Sequence, residues 1–419
     1  MRPAFHFTSA SGWINDPLGL TFRDDRYHLF YQYVPETTRW VPQCRWGHAT
    51  STDLLTWEAH AIALEPGEGD GGCWSGSVVV DESDRTTMFY TSVDDKAFEI
   101  GNARIARPAV GSATSWEKWD KGQIVAQLPD GESVVAFRDP FVFHDGARWR
   151  MLIGSGRTDG TAIAYGYVSD DLDTWTYGGI VASRHKSERD ELWTGSVWEC
   201  PQLVEIDGRW VLIVSVWEPT RPHYTAYALG DLDDGRFVQE SPWQRLTFGP
   251  SYYAGAVFRN DAGAPGIIYW LRDVTDPEGE WAGAHSVPHQ LTLKDGTLQI
   301  TLPQSLLQHR GEAIPLENLA HTPVSLGRAF DVEWTGGGQL SLDEADRNVF
   351  RLERVDGILT AVADAGTWSV PCTGPVRLLT DGSVVELIGS FGALAFPAPR
   401  AGHGIFSADQ ASGSAFRLT

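Results

Sequence analysis

A repeat of about sixty residues constrains this chain more than any other feature of its sequence. The stretch Gly12-Trp13-Ile14-Asn15-Asp16-Pro17-Leu18-Gly19 sets an aromatic residue and a carboxylate beside a proline, just before an apolar run. Related arrangements return at Trp74-Ser75-Gly76, Phe137-Arg138-Asp139-Pro140, Trp198-Glu199-Cys200-Pro201 and Tyr252-Tyr253-Ala254. The steps from Asp16 to Ser75, Asp139, Glu199 and Tyr253 are 59, 64, 60 and 54 residues. Regular spacing on this scale is the mark of stacked supersecondary units. Three of the five copies carry an acid in phase.

Each unit continues in the same way. Leu18 to Phe22 leads through Arg23-Asp24-Asp25-Arg26 to Tyr27-His28-Leu29-Phe30-Tyr31-Gln32, and Val78-Val79-Val80 leads through Asp81-Glu82-Ser83-Asp84 to Thr87-Met88-Phe89-Tyr90. His144-Asp145-Gly146 and Asp207-Gly208 separate later pairs of β-rich runs, a strong hairpin signal. Asp53-Leu54-Leu55-Thr56-Trp57 resembles Asp171-Leu172-Asp173-Thr174-Trp175, and Ser115-Trp116-Glu117-Lys118-Trp119 is a looser copy. No long run has a 3.6-residue period, which argues against an α/β barrel. The expected fold class is therefore all-β, a five-bladed β-propeller over residues 1–300.

The period ends near Leu291. Pro303 to Arg310 reads as one short helix within a linker at 301–312, with Leu306 and Leu307 facing the core. From 313 to 419 short alternating strands and Gly turns predict a smaller C-terminal β-sandwich. A chain of 419 residues is long enough for two such domains.

Composition then removes whole classes of function. Thirty-three Lys and Arg against 55 Asp and Glu leave a formal charge of -22, which repels nucleic-acid backbones and anionic membranes. Cys44, Cys73, Cys200 and Cys372 show no CxxC spacing, so neither zinc nor a disulfide framework is expected. No histidine or acid cluster has metal-ligand spacing, and no Gly-rich phosphate loop is present, so no metal or cofactor is expected. The N-terminal residues lack an apolar signal core and no run is long enough to cross a bilayer, so a cytoplasmic protein is expected unless a leader has been trimmed. Nothing in the sequence sets the oligomeric state.

If Asp16, Asp139 and Glu199 each open the innermost strand of a blade, three carboxylates converge on one funnel. Acids and prolines that merely shape strand entry would explain any single copy, but not three in phase. Crowded carboxylates shift one another's protonation, and such costs gather where chemistry uses them. Glycoside hydrolysis with retention needs one ionised carboxylate as nucleophile and one protonated carboxyl as acid/base. Glu199, between Trp198 and Cys200, is the expected protonated acid. Asp16 beside Asn15 and Asp139 beside Arg138 are expected to stay ionised.

These blocks resemble glycoside hydrolase family 32, the invertase, inulinase and levanase family. Trp13 to Gly19 is similar to its WMNDPNG block, Arg138-Asp139-Pro140 to its RDP block and Glu199-Cys200 to its EC block. Cys73-Trp74-Ser75-Gly76-Ser77 resembles its CFSGS block with Trp74 in place of phenylalanine, and Trp281-Ala282-Gly283-Ala284 a late tryptophan block. The resemblance implies a propeller with a β-sandwich, with Asp16 as nucleophile, Asp139 as transition-state stabiliser and Glu199 as general acid/base. It further implies that Asn15, Gln32, Trp40, Trp74, Ser75, Arg138, Cys200 and Trp281 hold or line the sugar. Leu18 stands where many members have asparagine, and Val41-Pro42-Gln43 departs from the usual surroundings of Trp40.

The resulting expectation is a retaining β-fructofuranosidase releasing terminal non-reducing β-D-fructofuranosyl units from sucrose or short fructo-oligosaccharides. A fructosyltransferase or an inulin- or levan-degrading fructanase would use the same three acids. A non-catalytic fructan-binding protein is the alternative from another class, and it would have lost an acid.

Overall fold

The computed structural model describes residues 2–111, 116–189 and 192–419, and Ser115 of the third tryptophan marker lies outside them. Nearly all of the regular structure is β. Units two and three are four-stranded antiparallel sheets, 72–126 and 134–185, and unit four adds a short fifth strand to 197–239. Units one and five belong to one nine-stranded sheet, because Gly12 and Trp13 pair in parallel with Trp281 and Ala282.

The leading strands of the units are Gly12–Arg23, Gly72–Val80, Val134–His144, Val197–Ile206 and Tyr252–Arg259. Each lies against the next, and the fifth returns to the first. The apolar clusters follow the same circuit. Leu18, Phe30 and Trp46 of unit one meet Met88 and Tyr90 of unit two. Phe89 and Ile105 then meet Met151 and Ile163, and Leu152 and Ala164 meet Trp198 and Leu212. Ile213 and Tyr227 meet Ile267 and Tyr269, and Ile268 with Ala256 closes on Ile14 and Leu29. The second strand of units one to four is thus covered on both faces by neighbours and reads as a nearly continuous apolar run, while the outer strands of units two to four are largely exposed.

One irregularity recurs in all five leading strands. Asn15 and Asp16 together stand opposite Gln32, between the pairs Ile14–Tyr33 and Pro17–Tyr31. Ser75 is an extra residue between the pairs Trp74–Thr91 and Gly76–Tyr90. Asp139 with Pro140, Cys200 with Pro201, and Ala254 with Gly255 are inserted in the same way. A β-bulge interrupts the ladder and re-aims a side chain. It also leaves an amide unpaired, which is why prolines are tolerated at these points. The acid–proline motifs therefore sit inside the leading strands rather than ahead of them. Asp139, Cys200 and Ala254 take left-handed backbone angles there, φ 67°, 45° and 47°, a conformation that costs non-glycine residues of order 1 kcal/mol or more.

The two close copies of the Asp-Leu-x-Thr-Trp marker form the same turn. Asp53 accepts from the Leu55 and Thr56 amides at 2.8 and 2.7 Å, and Asp171 accepts from Asp173 and Thr174 at 2.9 and 2.7 Å. Close approach between units three and four depends on Gly154, since a Cβ there would lie 2.4 Å from the Trp198 carbonyl.

Beyond unit five, Gln304–His309 is a six-residue 3-10 turn. Leu306 is buried in it, but Leu307 is 44% exposed and does not face the core as expected. Three residues per turn separate adjacent leucines by roughly a third of a circle, so they cannot share one inward face. The C-terminal residues form sheets of seven and five strands over one apolar core that includes Phe330, Trp334, Leu342, Phe350, Leu387 and Phe406. One of the seven strands of the larger sheet is Thr247–Phe248, paired in parallel with Ala393 and Leu394.

The two parts are joined by buried charges. His6 places Nδ1 2.9 Å from Asp381 and Nε2 2.9 Å from Glu386. Glu386 also accepts from the Tyr252 hydroxyl at 2.8 Å and lies 3.4 Å from His289 Nε2. All four ionisable side chains are fully buried. The carboxylates hold the His6 imidazole charged, up to about 9, and the two histidines hold Glu386 down to about 2, both against the effect of burial.

Candidate active site

The five bulges bring Asp16, Ser75, Asp139, Glu199, Cys200 and Tyr253 together at one end of the ring of leading strands. Asp16 Oδ1 accepts from Asn15 Nδ2 at 3.0 Å, and Oδ2 accepts from the Ser75 hydroxyl at 2.5 Å. Gln32 Nε2 donates in turn to Ser75 Oγ. Asn15 is fixed by Trp13 Nε1 on its side-chain oxygen at 3.0 Å and by His285 Nε2 on its carbonyl at 2.7 Å. Burial lowers His285 to about 4, so the ring is neutral and its Nε2 carries the donated proton. Every donor on Asp16 therefore has its own orienting partner.

Asp139 receives the Cys200 amide on Oδ2 at 3.0 Å, and its own amide donates to Thr91 Oγ1 at 2.8 Å. The Cys200 sulfur lies 3.6 Å from Asp139 Oδ2 and 3.8 Å from Asp16 Oδ2, which places both aspartates beside one thiol. Burial and three neighbouring carboxylates push that thiol well up, so it remains protonated.

Glu199 is held from two sides. Arg138 gives Nε and one terminal nitrogen to Oε1 at 3.1 and 2.8 Å, while the Tyr253 hydroxyl donates to Oε2 at 2.5 Å. The other terminal nitrogen of Arg138 reaches Glu99 at 3.1 Å, and the guanidinium stands over the rings of Trp74 and Trp217 at 5.8 and 5.1 Å. Trp40, 40% exposed, meets Trp74 and Phe98 edge-on at 5.5 and 6.0 Å and forms an aromatic wall at the rim.

The electrostatics differ from the sequence expectation. Burial pushes Asp16 up to about 6, against the Ser75 and Asn15 hydrogen bonds, with Glu199 adding to the rise. Burial also raises Asp139, and Arg138 only partly opposes it. Asn15 beside Asp16 and Arg138 beside Asp139 do favour the ionised forms, as expected, but burial outweighs both and raises the two aspartates. Arg138 forms its hydrogen bonds with Glu199 and Glu99, not with its sequence neighbour Asp139. The Glu199 side chain, 17% exposed, is thus held by a guanidinium and a phenol rather than isolated among apolar side chains.

Trp281 is also placed differently from expectation. It is 1% exposed, in the core shared by units four and five and the C-terminal sheets, with the Arg2 guanidinium 5.3 Å from its ring centre. Its backbone clasps Gly12, and Trp270 is the tryptophan of unit five that packs against Cys200 and Tyr253. Glu99, Phe98, Thr91, Trp217 and Trp270 are site neighbours that the motifs did not point to. Tyr253 was in phase with the acids, and that phase was the available signal for it. Among the described residues no group of His, Cys, Asp and Glu side chains could hold a metal ion.

The model for the glycosyl hydrolases family 32 N-terminal domain matches residues 6–303. A levanase of Bacillus subtilis is 32% identical over 77% of this chain and 50% of its own length. A sucrose-6-phosphate hydrolase of Zymomonas mobilis is 30% identical over 71% of this chain and 61% of its own. This chain thus spans about half to three fifths of the length of these curated relatives. Among solved structures, a Bombyx mori β-fructofuranosidase mutant in complex with sucrose superposes with a TM-score of 0.86 at 24% identity, covering 100% of this chain and 94% of that one. Fructan 1-exohydrolase IIa of Cichorium intybus gives 0.82 at 20% identity, covering 100% and 97%. At these identities the structural likeness speaks to fold.

Proposed function

Since the chain belongs to glycoside hydrolase family 32, we propose that it is a retaining β-fructofuranosidase. Its substrates are sucrose and short fructo-oligosaccharides, from which it releases the terminal non-reducing β-D-fructofuranosyl unit. The observation that carries this reading is the convergence of Asp16 and Asp139, each at a bulge and each against the Cys200 sulfur, with Glu199 immediately before the bulge at Cys200. The sucrose bound in the Bombyx mori structure supports the substrate class.

In the first step Asp16 Oδ attacks the anomeric carbon of the fructosyl unit. The bond from that carbon to the bridging oxygen breaks, and the Glu199 carboxyl proton passes to the departing oxygen. In the second, Glu199 takes a proton from water, whose oxygen displaces Asp16 and restores it as a carboxylate. Ser75 and Asn15 orient the attacking carboxylate, and Asp139 binds fructosyl hydroxyls. Arg138 and Tyr253 aim Glu199, while Trp40 and Trp74 wall the leaving-group side.

We also infer that the five units close as a five-bladed propeller over residues 1–300, joined through 301–312 to a β-sandwich at 313–419. The ring of leading strands and the clasp at Gly12 and Trp281 support that architecture.

A substrate panel of sucrose, kestose, inulin and levan, with products resolved over time, tests the function. Glucose and fructose from sucrose in equal amounts, lost in Asp16→Asn, is the expected result. Dominant trisaccharides at high sucrose would replace hydrolysis with transfer, and cleavage confined to levan would favour the fructanase reading that the levanase relative suggests. Near-wild-type turnover in Asp16→Asn would refute the assignment.

A further inference from the structure

The dipeptide Tyr252-Tyr253 joins two networks that are otherwise separate. Its side chains leave the strand on opposite faces, as consecutive strand residues do. Tyr253 points into the site and donates to Glu199 at 2.5 Å. Tyr252 points the other way, is 1% exposed, and donates to Glu386 of the C-terminal part at 2.8 Å. Glu386 cannot shift freely, because it is fully buried and also held by His6. The chain just before the dipeptide is fixed by the same C-terminal sheet. Thr247 and Phe248 pair with Ala393 and Leu394, and the Ala393 amide donates to the Leu246 carbonyl at 3.1 Å.

A tyrosine hydroxyl has one proton to give. The Tyr253 hydroxyl has Glu199 at 2.5 Å and the Val216 carbonyl at 3.4 Å, so a small displacement of the strand moves that proton between acceptors. The residue following Tyr253 is Ala254 at φ 47°, at the bulge, where the ladder does not restrain the strand. Tyr253 pairs with Trp270 and Tyr252 with Leu271, the last two rungs before the bulge, so the position of Tyr253 is set on the Tyr252 side.

We propose that Glu386, acting through Tyr252 and Tyr253, is a positioning residue for the Glu199 carboxyl, so that the C-terminal part takes a share in acid/base catalysis. The proposal rests on the reading of Glu199 as the acid/base.

The test is a double-mutant cycle with Tyr252→Phe, Glu386→Gln and Tyr253→Phe. Tyr252→Phe removes only the hydroxyl that reaches Glu386, and it carries the test if Glu386→Gln does not fold. Tyr252→Phe and Glu386→Gln should each lower kcat on sucrose by roughly three- to tenfold with KM unchanged, and Tyr253→Phe by about tenfold or more. Combined with Tyr253→Phe, neither should lower it further. On β-D-fructofuranosyl fluoride, whose leaving group needs no proton, kcat/KM should stay near wild type. Losses that multiply, or that are equal on the fluoride, would overturn the proposal. A separate measurement keeps it independent of the fructosidase reading. In protein labelled with 3-fluorotyrosine, the Tyr253 fluorine resonance should move in both Glu386→Gln and Glu199→Gln. An unmoved resonance in Glu386→Gln refutes the coupling whatever the enzyme cleaves, whereas inactivity of the wild type on every fructoside refutes only the function.

Discussion

Ser75→Ala isolates the hydrogen bond that most directly orients the attacking group. The Ser75 hydroxyl donates to Asp16 Oδ2 at 2.5 Å, and it opposes the burial that pushes this carboxyl up to about 6. A hydrogen bond to a charged acceptor contributes about 1.5–3 kcal/mol, and each 1.36 kcal/mol moves a pKa by one unit. In the variant Asp16 should therefore titrate roughly one to two units higher. Asp16 attacks only when ionised, so kcat/KM of the wild type should fall on the acid side through a pKa near 6. In Ser75→Ala that limb should lie roughly one to two units further up, a loss of about ten- to a hundredfold at pH 5 that shrinks steadily toward pH 9. The assay is initial-rate hydrolysis of sucrose across that range, with melting temperature recorded at each pH to separate unfolding from titration. A constant ratio of variant to wild type at all pH values would refute the reasoning, because Ser75 would then act through packing alone. A wild-type acid limb near pH 4 would refute it earlier, at the claim that burial dominates Asp16.

Asp16→Asn should be inactive yet more stable at pH 7 by of order 1–3 kcal/mol, because a buried acid raised to about 6 from 3.8 loses stability as pH rises through that interval. Differential scanning calorimetry checks this, and a lower melting temperature at pH 7 than wild type would contradict it. His6 is held charged up to about 9, so its ion pairs contribute fully below pH 6.5, the ordinary histidine value, and are lost as pH rises through 9. His6→Ala should cost about 3 kcal/mol near pH 6 and flatten the alkaline decline in urea midpoint, which the wild type should retain. Gly154→Ala puts a Cβ 2.4 Å from the Trp198 carbonyl, one residue from Glu199. It should destabilise by about 1–3 kcal/mol and reduce kcat at temperatures where the protein is still folded. Wild-type values for both would show that units three and four separate easily.

Much of this was legible because it is periodic. The hairpins, the ring of units and the meeting of Asp16, Asp139 and Glu199 all follow from spacing and turn chemistry, which are local. What was not legible depends on which residues meet across units. Arg138 precedes Asp139 in the chain but bonds Glu199 sixty-one residues on. Trp281 and Trp270 are equally apolar in the sequence, and only the clasp at Gly12 decides that the first is core and the second reaches the site. The upward shifts of Asp16 and Asp139 had no signal for the same reason, since burial is a property of the assembled ring. Bulges, too, leave no composition signal beyond the prolines they tolerate.

The clasp between the first and last units has a bearing on synthesis. Asn15, beside the attacking carboxylate, receives a hydrogen bond from His285, 270 residues later, and Gly12 pairs with Trp281. His6 finds its carboxylates only at Asp381 and Glu386. A chain emerging from the ribosome at about 5–20 residues per second must hold its first strand unpartnered on one side for roughly a quarter of a minute or more. During that time units two to four can fold, but Asp16 has no completed surroundings. The surroundings of Asp16 are thus incomplete until His285 has emerged, and the exposed first strand is where a chaperone would have most to protect.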